Sequence, residues 1–317
     1  MTPRALSVLA GLLALLVPSP APADTPETLL LRTPAISAER IAFVHAGDIW
    51  TVGREGGEAV RLTTGAGAAS DPVFSPDGRL VAFSERAAGN ADVFVVPTAG
   101  GTPRRLTWHP GDDIVRGFTA DGRKILFASG RAASSERYDQ LFLVPAEGGL
   151  PEPLPLPTAE RGAFAPDGRR IAYTALHDGF WTWKGYRGGM TAPIRIFDLA
   201  ARRTTSVPHA AGSDTCPVWL GETLYFLSDR DGTMNVYAWD PKGGAVTRVT
   251  RHDDGDVRSL SAGGGALAYE QGGRIHVYEP ARGADHVVPV HVAGDLPATR
   301  AHLARVAREI QNFALSP

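Results

Sequence analysis

The sequence contains a single cysteine in 317 residues. Cys216 has no second thiol to pair with, so no disulfide framework supports the fold. Net charge is also scarce, at −2, whereas a protein held to nucleic acid through its phosphates is normally clearly basic. Lysine is nearly absent: only Lys124, Lys184 and Lys242 occur, so the cationic side chains are almost all arginine. Beyond residue 23 no stretch reaches the ~18 apolar residues that a membrane helix requires. No amphipathic helical segment of about ten residues separates the candidate strands, which argues against a doubly wound α/β fold. No Gly-x-Ser-x-Gly elbow, His-Glu-x-x-His helix, paired Cys-x-x-Cys or Walker loop is present. The sequence therefore carries no recognisable hydrolase nucleophile, zinc motif or nucleotide loop, and neither a cofactor nor a resident metal is expected.

The N-terminus reads as an address. Arg4 gives a positive start, Ala5 to Val17 is apolar, and Pro18 to Ala23 ends in Ala21-Pro22-Ala23 before Asp24. A charged start, a short apolar run and a small-x-small ending describe a secretory signal peptide over residues 1–23. The mature chain is accordingly expected to be exported, periplasmic or extracellular, with no membrane span after the signal is removed.

What the chain has in abundance is glycine, 36 residues, and proline, 25, together with self-similarity. Phe74-Ser75-Pro76-Asp77-Gly78 is echoed by Phe118-Thr119-Ala120-Asp121-Gly122 and by Phe164-Ala165-Pro166-Asp167-Gly168, with weaker copies from Ile36, Trp219 and Leu260. The six anchors recur at intervals of 38 to 55 residues, a period that suits propeller blades better than shorter solenoid repeats. Each unit reads as four short strands. Pro72 to Ser75, Leu80 to Ser84, Asp92 to Pro97 and Arg104 to Thr107 are separated by a Pro-Asp-Gly turn and by Gly100-Gly101. One such unit cannot bury both of its faces, so neighbours must stack around an axis. The fold class expected is all-β, a six-bladed β-propeller of four-stranded antiparallel blades over residues 29–293. Because each copy runs from a first to a fourth strand, every blade can form from contiguous chain, and ring closure is expected to lack a strand borrowed from the other terminus. Residues 294–317 read as the start of a truncated second domain, since Leu315-Ser316-Pro317 matches Phe74-Ser75-Pro76 and the chain then ends.

From about Leu29 onward the sequence resembles the N-terminal propeller of tricorn-type serine proteases. The Ser75-Pro76-Asp77-Gly78 motif is shared with TolB and other propellers. Trp183-Lys184-Gly185-Tyr186-Arg187-Gly188-Gly189 is more particular, as is Pro217-Val218-Trp219 followed by Leu227-Ser228-Asp229-Arg230-Asp231-Gly232-Thr233. The resemblance implies a large multi-domain peptidase in which propellers guide peptides to and from a separate catalytic core. It places no catalytic residue on this chain, because the family's serine, histidine and oxyanion site lie far C-terminal of the region covered. The implied function is a non-catalytic propeller that guides or gates peptides toward a core absent from this chain. A TolB-like periplasmic protein-interaction propeller and the propeller of an oligopeptidase are the rival readings. The partners expected are peptides and the remaining domains of the parent protein, with self-association into a homo-oligomer left open.

Two sets of residues are candidates for peptide or domain contact. The fourth unit carries an insert, His177 to Pro193, whose Trp181, Trp183, Lys184, Tyr186 and Arg187 lie among glycines. Such a loop can hold a peptide by stacking and through its carboxylate, pack on a neighbouring domain, or cover the blade edge. Arg116, Arg161 and Arg258 enter first strands beside the axis, with Asp71 nearby, on the face expected to carry the insert. They form either an arginine ring that favours peptide carboxylates or pairs with acids such as Asp112, Asp113 and Glu160. Asp229 to Thr233 and His252 to Asp256 cluster oxygen ligands, but neither completes a twelve-residue calcium loop, and both read as polar turns.

Overall fold

A computed structural model of the chain describes residues 27–294 apart from 66, 134–137, 177–183 and 192, together with 296, 301 and 303. Blade 1 is β1 (Arg32–Ile36), β2 (Arg40–His45), β3 (Asp48–Gly53) and β4 (Gly57–Arg61). Blade 2 is β5 (Ala68–Phe74), β6 (Leu80–Arg86), β7 (Asp92–Pro97) and β8 (Arg104–Arg105). Blade 3 is β9 (Asp113–Phe118), β10 (Lys124–Ser129), β11 (Gln140–Pro145) and β12 (Glu152–Pro153). Blade 4 is β13 (Arg161–Phe164), β14 (Arg170–Thr174), β15 (Arg195–Asp198) and β16 (Arg203–Ser206). Blade 5 is β17 (Asp214–Leu220), β18 (Thr223–Ser228), β19 (Asn235–Trp239) and β20 (Val246–Arg248). Blade 6 is β21 (Leu260–Gly263), β22 (Ala266–Gln271), β23 (Arg274–Glu279) and β24 (Ala284–Val287), and β25 (Val290–Val292) follows it. The strands of each blade pair antiparallel in chain order, with no helix among the described residues. The molecule is a six-bladed β-propeller.

Local chemistry explains why each unit folds alike. In the turn between β5 and β6, the Ser75 hydroxyl donates to Asp77 Oδ1 at 2.6 Å and accepts Leu80 N–H at 3.0 Å. Gly78 closes that turn at φ +71°, a left-handed conformation that glycine adopts at no steric cost. Thr119, Asp121 and Lys124 repeat the arrangement in blade 3. A second device joins the start of a third strand to the end of a fourth. Thr107 Oγ1 accepts Val93 N–H at 3.0 Å while Arg105 pairs with the buried Asp92. Thr63, Arg61 and Asp48 do the same in blade 1, and in blade 5 the Thr250 hydroxyl accepts Val236 N–H and bonds to Asn235.

The second strands read large–small–large, as in Ile41-Ala42-Phe43, Val81-Ala82-Phe83 and Ile171-Ala172-Tyr173, and are buried on both faces. Successive side chains point to opposite faces of a strand. Val81 and Phe83 therefore pack against blade 1, while Ala82 packs against blade 3. Six apolar clusters result, one at each interface between neighbouring blades.

Ring closure differs from the sequence expectation. The four strands of every blade are indeed contiguous, but β25 crosses the seam and pairs in parallel with β4, Val290 opposite Gly57 and Val292 opposite Ala59. The other terminus joins in: Thr28 N–H donates to Val290 O at 2.8 Å, and Leu31 N–H donates to Gly273 O at 3.0 Å. Val288 and Val290 are fully buried with Leu31, Trp50, Ile275 and Val277. The approach is close enough that a Cβ on Gly56 (φ +94°) would lie 2.2 Å from Pro289 O. The sequence signal is faint because β25 is three residues long and carries none of the repeat motif.

Candidate functional site at the propeller axis

The six first strands line a central cavity of about 1480 Å³ whose walls run from the turn face, at Asp77 and Gly264, to the opposite face, at Asp71 and Arg161. Four of these strands are bulged, β9 at Arg116 and the other three at an X-Pro step. The register slips between Arg32 and Ala35, Ser70 and Val73, and Thr215 and Val218. At each slip a non-glycine residue takes positive φ just before a proline: Thr33-Pro34 (+44°), Asp71-Pro72 (+50°) and Cys216-Pro217 (+50°). A proline cannot donate to the ladder, so it is tolerated at a bulge. Positive φ at non-glycine residues costs on the order of 1–3 kcal/mol and persists where surrounding structure enforces it. The signal lies in the sequence, as an X-Pro step three residues before the anchors Ile36, Phe74 and Trp219, outside the repeated turn motif.

The bulge places the Asp71 carboxylate 3.8 Å from the Arg116 guanidinium. Arg116 also donates through Nη2 to Glu160 Oε1 at 2.7 Å and through Nε to Glu160 O at 2.8 Å. Its side chain is 9% exposed. Beyond Glu160, burial and the hydrogen-bonded Glu160 carboxyl push Asp139 up to about 7. Across the axis the buried Glu270 carboxyl accepts Thr33 N–H at 3.2 Å. Burial raises its proton affinity, and Thr33 N–H, Arg258 and Arg32 pull it back. Arg161 and Arg258 both line the cavity. The arginines named from the sequence therefore do gather at the axis, but within a network of carboxylates rather than as a bare cationic ring. Of the acids anticipated as partners, Glu160 takes Arg116, whereas Asp112 pairs with Arg86 and Asp113 with Arg131.

The insert of blade 4 separates β14 from β15, as its sequence implied. Trp181 and Trp183 lie outside the described residues. Lys184 Nζ donates to Asp256 Oδ2 at 2.7 Å. Arg187 donates to Asp229 Oδ2 at 2.7 Å and to Asp229 O at 3.1 Å, and this carboxylate is fully buried. Tyr186 lies over Gly188, where a Cβ would come within 2.1 Å of its hydroxyl. Lys184 and Arg187 thus tie the insert to neighbouring carboxylates, one just after β18 and one in the connection that follows blade 5. The same contacts account for the two acidic turns. Asp229 and Asp256 bind these cations, Asp231 accepts from Tyr237, and Asp254 accepts from Gln271.

Fold and axis together define a six-bladed propeller whose central cavity is lined by charged side chains of both signs. Residues 28–284 match the model of the tricorn protease N-terminal beta propeller domain, and the chain belongs to that family. A tricorn protease homolog of Streptomyces coelicolor is 30% identical over 80% of this chain and 24% of its own length. The crystal structure of the tricorn protease superposes with a TM-score of 0.74 at 25% identity, over 84% of this chain and 27% of that one. TolB from Agrobacterium tumefaciens shares the fold, with a TM-score of 0.57 at 20% identity over 71% of this chain and 81% of its own. The chain spans about a quarter of the length of the curated relatives it matches.

Proposed function

We propose that the chain is the non-catalytic propeller of an exported tricorn-like peptidase, and that it guides or gates peptides toward a catalytic core lying outside it. The observation that carries this reading is the axial cavity, lined by all six first strands and flanked by both signs of charge. An extended peptide has two charged termini and an unpaired backbone. The Arg116–Glu160–Asp71 network and the Glu270–Arg258 region present charges of both signs to such a peptide. Family membership supports the peptidase context. The N-terminal Arg4 to Ala23 segment supports export.

The expected result is that the purified chain hydrolyses no fluorogenic peptide, while labelled short peptides bind it weakly in fluorescence anisotropy. Gly117 lines the cavity, and a Cβ there would meet nothing within 4 Å. Gly117→Trp should therefore narrow the cavity, leave the fold intact and weaken peptide binding by about tenfold, on the order of 1.4 kcal/mol. Turnover abolished by a serine-directed inhibitor, or peptide binding indifferent to the tryptophan, would overturn the reading. Export has its own readout: N-terminal sequencing of the secreted chain should begin at Asp24, and unprocessed chain retained in the cytosol would refute it.

A further inference from the structure

A cluster of metal-ligating side chains stands at the outer edge of the interface between blades 5 and 6, away from the axis. His252 comes from the connection that leads out of blade 5, His276 from β23 and Asp285 from β24. One ligand atom from each lies within 4.8 Å of the others. Sheet register brings two of them together. Tyr269 of β22 sits opposite His276, and Tyr278 sits opposite Asp285, which puts Asp285 diagonal to His276 on the same face. That face packs against blade 5 through Leu267, Tyr269 and Tyr278.

We propose that His252, His276 and Asp285 form a binding site for a divalent first-row transition metal, zinc foremost. Two imidazoles with one carboxylate are the donor set of such ions, whereas calcium and magnesium prefer oxygen alone. Three protein ligands with one remaining position is the arrangement of open zinc sites. The Asp285 side chain is 39% exposed, which leaves that position facing solvent.

The strongest indication is an orphaned atom. His276 is 7% exposed, and its Nδ1 is buried with no hydrogen-bond partner. Its nearest ionic neighbour, Asp285 Oδ2, is 3.5 Å away. A buried nitrogen of this kind normally finds a donor or acceptor, and a metal between it and the carboxylate would satisfy both. Around it the supporting shell is already built. Tyr269 hydroxyl donates to Asp285 Oδ2 at 2.7 Å and lies 3.0 Å from His252 Nε2. Its ring stacks on His276 at 5.1 Å between centroids. Such contacts fix ligand orientation in metal sites. Zinc bonds of about 2.0–2.2 Å require ligand atoms roughly 3.4 Å apart, so the cluster must contract by up to about 1.4 Å. Rotation of the partly exposed Asp285 and of His252, which sits on a connection, can supply that. The three ligands are too far apart in the chain to form a spacing motif, so the sequence could not reveal them.

The test uses the untagged chain, stripped with a chelator, then titrated with zinc chloride by calorimetry and with cobalt chloride by visible absorption. One equivalent should bind with a dissociation constant of about 10 µM or tighter, cobalt should give the intense band of tetrahedral nitrogen–oxygen ligation, and zinc at hundredfold excess over that constant should raise the Tm by about 4 °C or more. Asp285→Asn and His252→Gln, both at sites that are not buried, should each weaken binding by tenfold or more while circular dichroism stays unchanged. Absence of saturable binding below about 100 µM, or binding unchanged in both variants, would overturn the assignment and leave the cluster a hydrogen-bonded relay through Tyr269. If His276→Gln fails to fold, these two variants still decide the matter.

Discussion

Val290→Asp is expected to unfasten the ring. Val290 is fully buried at the seam between blades 6 and 1, among Leu31, Trp50, Val277 and Val288. Its carbonyl accepts Thr28 N–H, and its strand pairs with β4. An aspartate there would bury a charge among apolar side chains, a change that costs several kcal/mol. It would do so at the one seam where the chain's two ends meet. Loss of about 4 kcal/mol or more is expected in urea unfolding, with a lowered midpoint and easier proteolysis near both termini. Val287→Asp, three residues earlier on the exposed edge strand β24, should cost no more than about 0.5 kcal/mol. Equal effects from the two substitutions would mean that β25 does not seal the propeller.

The second large effect is pH-dependent and centres on Arg116. Asp139 has its proton affinity raised by burial and by the Glu160 carboxyl, while Asp112 adds a like charge and Arg116 opposes them. Asp71 completes the set around Arg116. A carboxyl at about 7 in the folded chain and at its ordinary value of 3.8 in the unfolded one holds its proton more tightly when folded. Its contribution to stability is full below pH 4 and is lost as pH rises through 7. Asp139→Asn keeps a neutral group at every pH. It should stabilise the chain by about 1–2 kcal/mol at pH 8, after allowance for partial solvation, and the gain should shrink steadily toward pH 5. Arg116→Ala works in the opposite direction. It strips the cation from the buried Glu160 and should cost about 3 kcal/mol at pH 8, less at pH 5 where Asp139 holds its proton. Thermal unfolding of both variants across that range checks the account, and a pH-independent difference for Asp139→Asn would sink it.

Much of the architecture was legible in the chain because it is written locally. Gly78 and Gly122 mark turns that need positive φ. Ser75 and Thr119 occupy the one position from which a hydroxyl can cap the following strand. The large–small–large second strands state that both faces are buried. The axial arginines were also legible, since Arg116, Arg161 and Arg258 fall at corresponding points of repeats. Their electrostatic character was legible only as one of two alternatives, a bare arginine ring or pairing with acids such as Glu160, and the structure decides for Arg116. Arg116 meets Glu160 from the next blade and Asp71 from the previous one, and no spacing rule links three residues in three repeats. The insert shows the same limit: Lys184 and Arg187 looked available for a ligand, yet their partners Asp256 and Asp229 come from a different repeat.

The sequence by itself determined the blade: its length, its turns, its strand order and the number of copies. Those follow from interactions between residues a few positions apart, which the order of side chains specifies directly. Only the tertiary structure decided how the ring shuts, which acids Arg116 pairs with, and that His252, His276 and Asp285 meet. Thr28 bonds with Val292 and Thr33 with Glu270 across nearly the whole chain, and such contacts exist only once six blades have closed a circle. Closure brings β25 against β4 of the first blade, and a linear sequence carries no local mark of that.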